Sequence, residues 1–197
     1  MGQTEFFTYL SSFVIIVLAV AIADLINSLH RLIRARKRVT WHPLPLMMAL
    51  LATIAVISEF FSLWWEFDVT DITMMELLGV LSVPGLLALF AYSVLPDEVP
   101  PEGLDLWTFY MEERRVLCAL LGLAFVCDMV RAAQGAVDDN VPASEIVWYF
   151  LLLTPAFFIP LLLISFTKKP LWQWIGVLGL LAVNGQSLLF WELSVES

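Results

Sequence analysis

Two charged residues, Asp128 and Arg131, stand inside an otherwise apolar run, LCALLGLAFVCDMVRAAQGAV (117–137). Three positions apart on a helix, they share a face and can pair. A charge at mid-membrane costs roughly 2.5–3.5 kcal/mol on insertion scales, so each needs a partner, a water path or a route to the surface. Arg131 is long enough to reach outward. One reading is a self-contained ion pair with no further role. The other draws in Glu59, Glu76, Asn184 and Gln186, which stand at similar depth on three further apolar runs. If those faces converge, the six residues make a polar vestibule in which three carboxylates outnumber one guanidinium. Crowded carboxylates in low dielectric resist carrying full charge together. Such a cluster can bind a cation or relay protons. Glu76 alone has a simpler account, as an acid near a helix start where the dipole favours it.

A second polar stripe lies nearer the other side. Asp24, Asn27, Ser28 and Arg31 follow i, i+3, i+4, i+7 spacing on the first apolar run. The stripe is either a helix end that turns polar or an inner gate facing the outer cluster.

These residues need elements to hold them, and the composition says which. The chain has 197 residues, 60% of them hydrophobic and only 15% charged, with a mean hydropathy of +0.86. Soluble domains are nearer half apolar and a quarter charged. A hydrocarbon core of roughly 30 Å takes about 20 apolar residues per helix. Six runs qualify: about 6–29, 43–65, 73–95, 115–135, 146–166 and 171–191. The expected fold is all-α, a single transmembrane domain over 1–197 in the form of a six-helix integral membrane bundle.

Charge distribution sets the expected orientation. The net charge of −9 is spread unevenly. Arg31, Arg34, Arg36, Lys37 and Arg38, then Arg114 and Arg115, then Lys168 and Lys169 follow the first, third and fifth runs. Acids such as Glu66, Asp68, Asp71, Asp138, Asp139 and Glu145 occupy the intervening loops. Basic loops stay cytoplasmic. Both termini are therefore expected outside, in a plasma membrane of bacterial inner-membrane type. Trp41, Trp64, Trp65, Trp107, Trp148, Trp172, Trp174 and Trp191 fall at the ends of runs or in loops, where amphipathic rings settle at the headgroup level. The first run lacks a basic leader and a small-residue cleavage site, so a retained helix is expected. The run RLIRARKRV places Arg31, Arg34 and Lys37 at every third position, a juxtamembrane pattern suited to anionic lipid.

The segment 96–114, PDEVPPEGLDLWTFYMEER, is the one long connection. Its prolines exclude a regular helix at the start. Asp105 then caps a helix beginning LWTFYMEERR, expected to lie on the cytoplasmic interface and to run into the fourth span. Trp107, Phe109 and Tyr110 are its candidate partner contacts. The patterns LPDE-P-P and DLWTFYMEERR, preceded by FSLWWEF, resemble small multi-pass inner-membrane proteins of bacteria with no assigned role. The resemblance covers most of the chain and implies membrane class without implying an activity.

Internal symmetry is a further expectation. AIADLINSL (21–29) and FVCDMVRAA (125–133) each carry an Asp in an apolar run, and GVLSVPG (79–85) and GVLGLLAVNG (176–185) are glycine-interrupted. Three spans per half would give the antiparallel repeat and broken helices of many transporters. Pro84, Pro155 and Pro160 each free a carbonyl, to kink a helix or line a cavity. Ala19 and Ala23 could pack against another helix, in this chain, a second copy or a partner membrane protein.

No zinc, P-loop, nucleophile-elbow or dinucleotide motif occurs. Both histidines, His30 and His42, fall at the cytoplasmic interface. No enzyme, cofactor, metal or nucleic-acid partner is expected. The leading expectation is a small channel or transporter for protons, a cation or a small polar solute. The alternative is a non-transporting subunit that senses, scaffolds or anchors a partner through 96–115.

Overall fold

The computed structural model describes residues 3–66, 74–138 and 141–189, with side chains for 9–62, 77–136 and 141–185. Six helices make up nearly all of it: α1 (Gln3–Arg34), α2 (Pro43–Glu66), α3 (Met74–Val94), α4 (Leu106–Asp138), α5 (Ala143–Phe166) and α6 (Pro170–Leu189). Two short strands, β1 (Val39–Thr40) and β2 (Leu104–Asp105), pair in parallel between them. Over the described residues five helices are long and apolar enough to cross a membrane: Tyr9–Arg34, Pro43–Ser62, Leu77–Val94, Leu106–Ala136 and Ala143–Phe166. The chain reads as a multi-pass membrane protein.

Helix neighbours define the architecture. α2, α3, α4, α5 and α6 pack each on the next, and α6 returns to α2, so these five close a ring. α1 lies outside it, against α2 and α3. The fully buried side chains Met48 and Leu51 of α2, Phe90 of α3, Leu117 of α4, Ile164 of α5 and Leu180 of α6 fill the core. α5 buries only Phe157, Leu161 and Ile164. Their i, i+4, i+7 spacing makes one stripe. Much of the rest of α5, including Trp148, Leu152 and Phe166, is exposed, as a lipid-facing helix requires.

Glycine and proline serve packing here. α3 continues through Pro84-Gly85, α5 through Pro155 and Pro160, and α6 through all its glycines up to Leu189. The expected broken helices are absent from these segments. At Gly176 a Cβ would stand 2.6 Å from Ile164 Cγ1 and 2.9 Å from the Pro160 carbonyl oxygen. Small residues let membrane helices approach this closely. The two halves also differ in their neighbours: α1 packs extensively on α3, whereas α4 and α6 share no comparable contact.

The long connection is tied down. Leu104 N–H donates to the Arg38 carbonyl at 2.9 Å, and β1 and β2 pair Val39 with Leu104 and Thr40 with Asp105. Gly103 holds a φ of 106°, and a Cβ there would meet the Arg38 carbonyl oxygen at 2.9 Å. Asp105 caps α4 as expected: its carboxylate accepts from the Trp107 and Thr108 amides and, at 2.6 Å, from the Thr108 hydroxyl. The helix expected to begin at LWTFYMEERR and to run into the fourth span does so. Residues 106–115 are the first turns of an unbroken 33-residue α4, with Leu106, Tyr110 and Arg114 buried. Apolar side chains on this stretch find the bundle core before they find lipid.

Candidate functional site

Glu59 comes from α2, and Asp128 and Arg131 from α4. They meet because α2 and α4 touch across the ring. Arg131 makes a side-on fork with Glu59, Nη1 to Oε1 at 3.2 Å and Nη2 to Oε2 at 3.3 Å. Its Nη2 also donates to Asp128 Oδ1 at 2.8 Å. The planar guanidinium suits such two-point recognition. Exposure grades across the triad. The Glu59 side chain is 6% exposed, Arg131 14% and Asp128 42%. Ser62, one turn beyond Glu59, donates its hydroxyl to the Glu59 carbonyl at 2.9 Å and sits 3.4 Å from Oε2.

The triad borders a cavity of about 280 Å³ to which all five ring helices contribute. Its polar end holds Glu59, Asp128, Arg131, Ser58, Ser62 and Asn184. Its apolar part includes Leu87 of α3, Leu121 and Phe125 of α4, and Tyr149 and Phe157 of α5. Phe125 and Phe157 stack at 3.9 Å between centroids with 7° between planes. Two carboxylates against one guanidinium leave one formal negative charge at the polar end.

Four of the candidate residues, Glu59, Asp128, Arg131 and Asn184, are thus brought to one cavity. Asn184 also donates to the Leu180 carbonyl at 2.8 Å. The side chains of Glu76 and Gln186 lie outside the described residues. Asp24 does not line the cavity, since α1 stands outside the ring. Its stripe-mate Ser28 is buried, with no hydrogen-bond partner for Oγ among the described residues. Sequence reasoning passed over Ser58, Ser62, Tyr149, Phe125 and Phe157. The i, i+3 spacing of Glu59 and Ser62 was the available signal; the aromatics were indistinguishable from ordinary span residues.

Two further clusters occupy the opposite end. Arg31 Nη1 donates to the Asp97 carbonyl at 2.6 Å. Arg31, Arg34 and Arg38 border a groove of about 570 Å³ with Asp97 and Glu98, and Lys37 is exposed beside them. In the other cluster Tyr110 is buried and donates its hydroxyl to Gln173 Oε1 at 2.5 Å. Gln173 Nε2 in turn donates to the Ile164 and Thr167 carbonyls, satisfying the end of α5. Tyr110 is therefore a bundle residue and presents no face to a partner. Trp107 and Phe109 remain partly exposed, Trp107 packing on His42 at 4.7 Å. Beside them Arg114 is buried, and its one acceptor among the described residues is Met111 Sδ at 3.0 Å. Expected in a basic loop, it belongs to the helix interior.

Among the described residues no group of three or more His, Cys, Asp or Glu is placed to hold a metal ion. No protein-family model, curated protein or solved structure matches the chain.

Proposed function

We propose that the chain is a small membrane channel or transporter for protons, a cation or a small polar solute, working through the Glu59–Arg131–Asp128 triad. The observation that carries this reading is the gradient of exposure along the triad. Locking α2 to α4 needs only the buried fork, not a second carboxylate open to the cavity. Here Glu59 is buried, while Asp128, at the other end of the same guanidinium, is 42% exposed beside the cavity. An incoming cation or proton at Asp128 competes with Arg131 for that carboxylate. Released from Asp128, Arg131 shifts wholly onto Glu59 in the fork that joins α4 to α2, which couples binding to helix movement. Intramembrane ionisable residues with this placement mark ion and proton routes in general.

The proposed topology has six spans, α6 included, in a bacterial plasma membrane. Arg31 to Arg38, Arg115, Lys168 and Lys169 stand on the cytoplasmic side and both termini outside, by the bias of basic residues. The proposal uses no cofactor, no catalytic step and no inverted repeat. The alternative, a non-transporting subunit docked through 96–115, draws support from the exposed parts of Trp107 and Phe109.

Flux in proteoliposomes tests the proposal. Internal pH and a cation dye are followed for the wild type and Asp128→Asn. Wild-type flux that falls by about tenfold or more in the variant is expected, since a charged partner is lost at the site. Equal flux in both, or none in either with both proteins folded and inserted, overturns it.

A further inference from the structure

We infer that the cavity takes a small organic cation, an ammonium carrying an apolar or aromatic group, and not a bare metal ion. The inference rests on the transport reading and narrows its substrate class. Three features of the cavity converge on it.

The first is size. Sites for organic ligands run from roughly 300 to 1,000 Å³, and about 280 Å³ fits a small member of that class. An alkali ion stripped of water needs a tight cage of oxygens, far smaller than this space. The second is the separation of polar from apolar walls. Ligand sites of this kind are mostly apolar with a few placed polar groups. Here the carboxylates stand at one end, while Leu121, Phe125, Leu153 and Phe157 line the rest. Those walls offer a hydrated ion nothing in exchange for its water, but they suit a hydrocarbon or ring. The third is sign. The excess formal charge is negative, and the exposed carboxylate is Asp128. An ammonium at Asp128 neutralises the excess, and the exposed ring of Tyr149 beside Asp128 adds attraction through its π face, while the stacked Phe125 and Phe157 give its apolar group a wall. An organic anion of the same size would meet Asp128 before Arg131, whose guanidinium is held by Glu59 as well.

Equilibrium binding of labelled benzyltrimethylammonium to the full chain in detergent or vesicles is the test, with rubidium and benzoate as competitors. Saturable binding is expected, displaced by unlabelled probe and not by benzoate or rubidium at matched concentration. Asp128→Asn weakens it by about tenfold or more. Tyr149→Leu, which removes the ring beside Asp128 and keeps the position apolar, weakens it by about three- to tenfold, and Asp128→Glu retains it. Benzoate displacing the probe, no saturable binding by folded wild type, or unchanged affinity in Asp128→Asn each overturn the inference. The two readings fail separately. Rubidium or proton flux that depends on Asp128, without probe binding, removes the organic cation and leaves transport. Probe binding that depends on Asp128, without flux of probe, proton or rubidium, removes transport and leaves the site.

Discussion

Glu59 and Arg131, separated by seventy-two positions in sequence, are joined side-on by two hydrogen bonds of 3.2 and 3.3 Å. The fork ties α2 to α4 straight across the five-helix ring, where packing between these two helices is otherwise slight. It therefore sets the width of the cavity as well as its charge. Asp128 hangs from the same guanidinium at its exposed edge, so the three residues form a chain from buried to open.

That gradient predicts unequal costs. Glu59→Gln leaves a guanidinium that is 14% exposed facing a neutral amide. Breaking a fully buried pair from one side costs on the order of 3 kcal/mol, and the loss here should stay below that because Asp128 still holds Arg131. Asp128→Asn removes a partner that is 42% exposed, and such pairs contribute about 1 kcal/mol or less. The double variant Glu59→Gln/Arg131→Gln should recover part of the Glu59→Gln loss, because the buried guanidinium that had lost its deeper partner is gone too. Unfolding midpoints of the four proteins in one detergent check the order. Equal losses for the two single variants would count against it.

Gly176 gives a steric prediction. Its missing Cβ makes room for Ile164 and Pro160 of α5, at 2.6 and 2.9 Å from where the Cβ would sit. Gly176→Ala should cost about 1–3 kcal/mol, the range for overpacking a close-fitted core. Gly135 on α4 has nothing within 4 Å of the same position, so Gly135→Ala should be neutral or stabilising by up to about 1 kcal/mol through helix propensity. Thermal unfolding of the pair in parallel separates packing from propensity.

Membrane class, helix number and the α4 cap were legible in the sequence because each rests on a local rule. Run length marks a span, and Asp105 precedes its helix by one residue. Glu59, Asp128, Arg131 and Asn184 were legible as a set because charges in apolar runs are few and depth follows from rise per residue. Their neighbours were not. Depth places residues on one level but does not say which helix faces which. Only the packing order, with α1 outside a ring of five, removes Asp24 from the cavity and admits Tyr149 and Phe157. Arg114 was misplaced for a related reason: it was counted with the basic residues that flank the spans, and the packing of α4 rotates it inward.

Asp105 carries the pH prediction. The Thr108 hydroxyl, helped by the Thr108 and Trp107 amides, holds its carboxyl below the usual aspartate range. A carboxylate with a depressed folded pKa stabilises the fold fully above its unfolded pKa and loses that contribution as pH falls through the folded one. The α4 cap should thus be intact at neutral pH and weaken below about pH 4. Asp105→Asn should keep most of the cap, because an amide oxygen can still accept, and should flatten this acid-side slope. Asp105→Ala should cost about 1 kcal/mol at neutral pH. Melting curves from pH 3 to 7 distinguish the three proteins.

Arg114 supplies the last test, and its expected sign is the reverse of the usual one. The side chain is 3% exposed, and among the described residues its Nε has no partner and no carboxylate pairs with it. A thioether is a weak acceptor for a guanidinium, so the charge is left largely uncompensated at a desolvation cost. Replacing buried ionic groups with apolar side chains of similar volume is often neutral or stabilising, by about 1–4 kcal/mol. Arg114→Met keeps the stem and removes the charge, and it should unfold at the same temperature as wild type or higher. Arg114→Ala removes the stem too and should unfold lower, through the cavity it leaves. An Arg114→Met protein as unstable as Arg114→Ala would mean that the charge itself holds α4 in place.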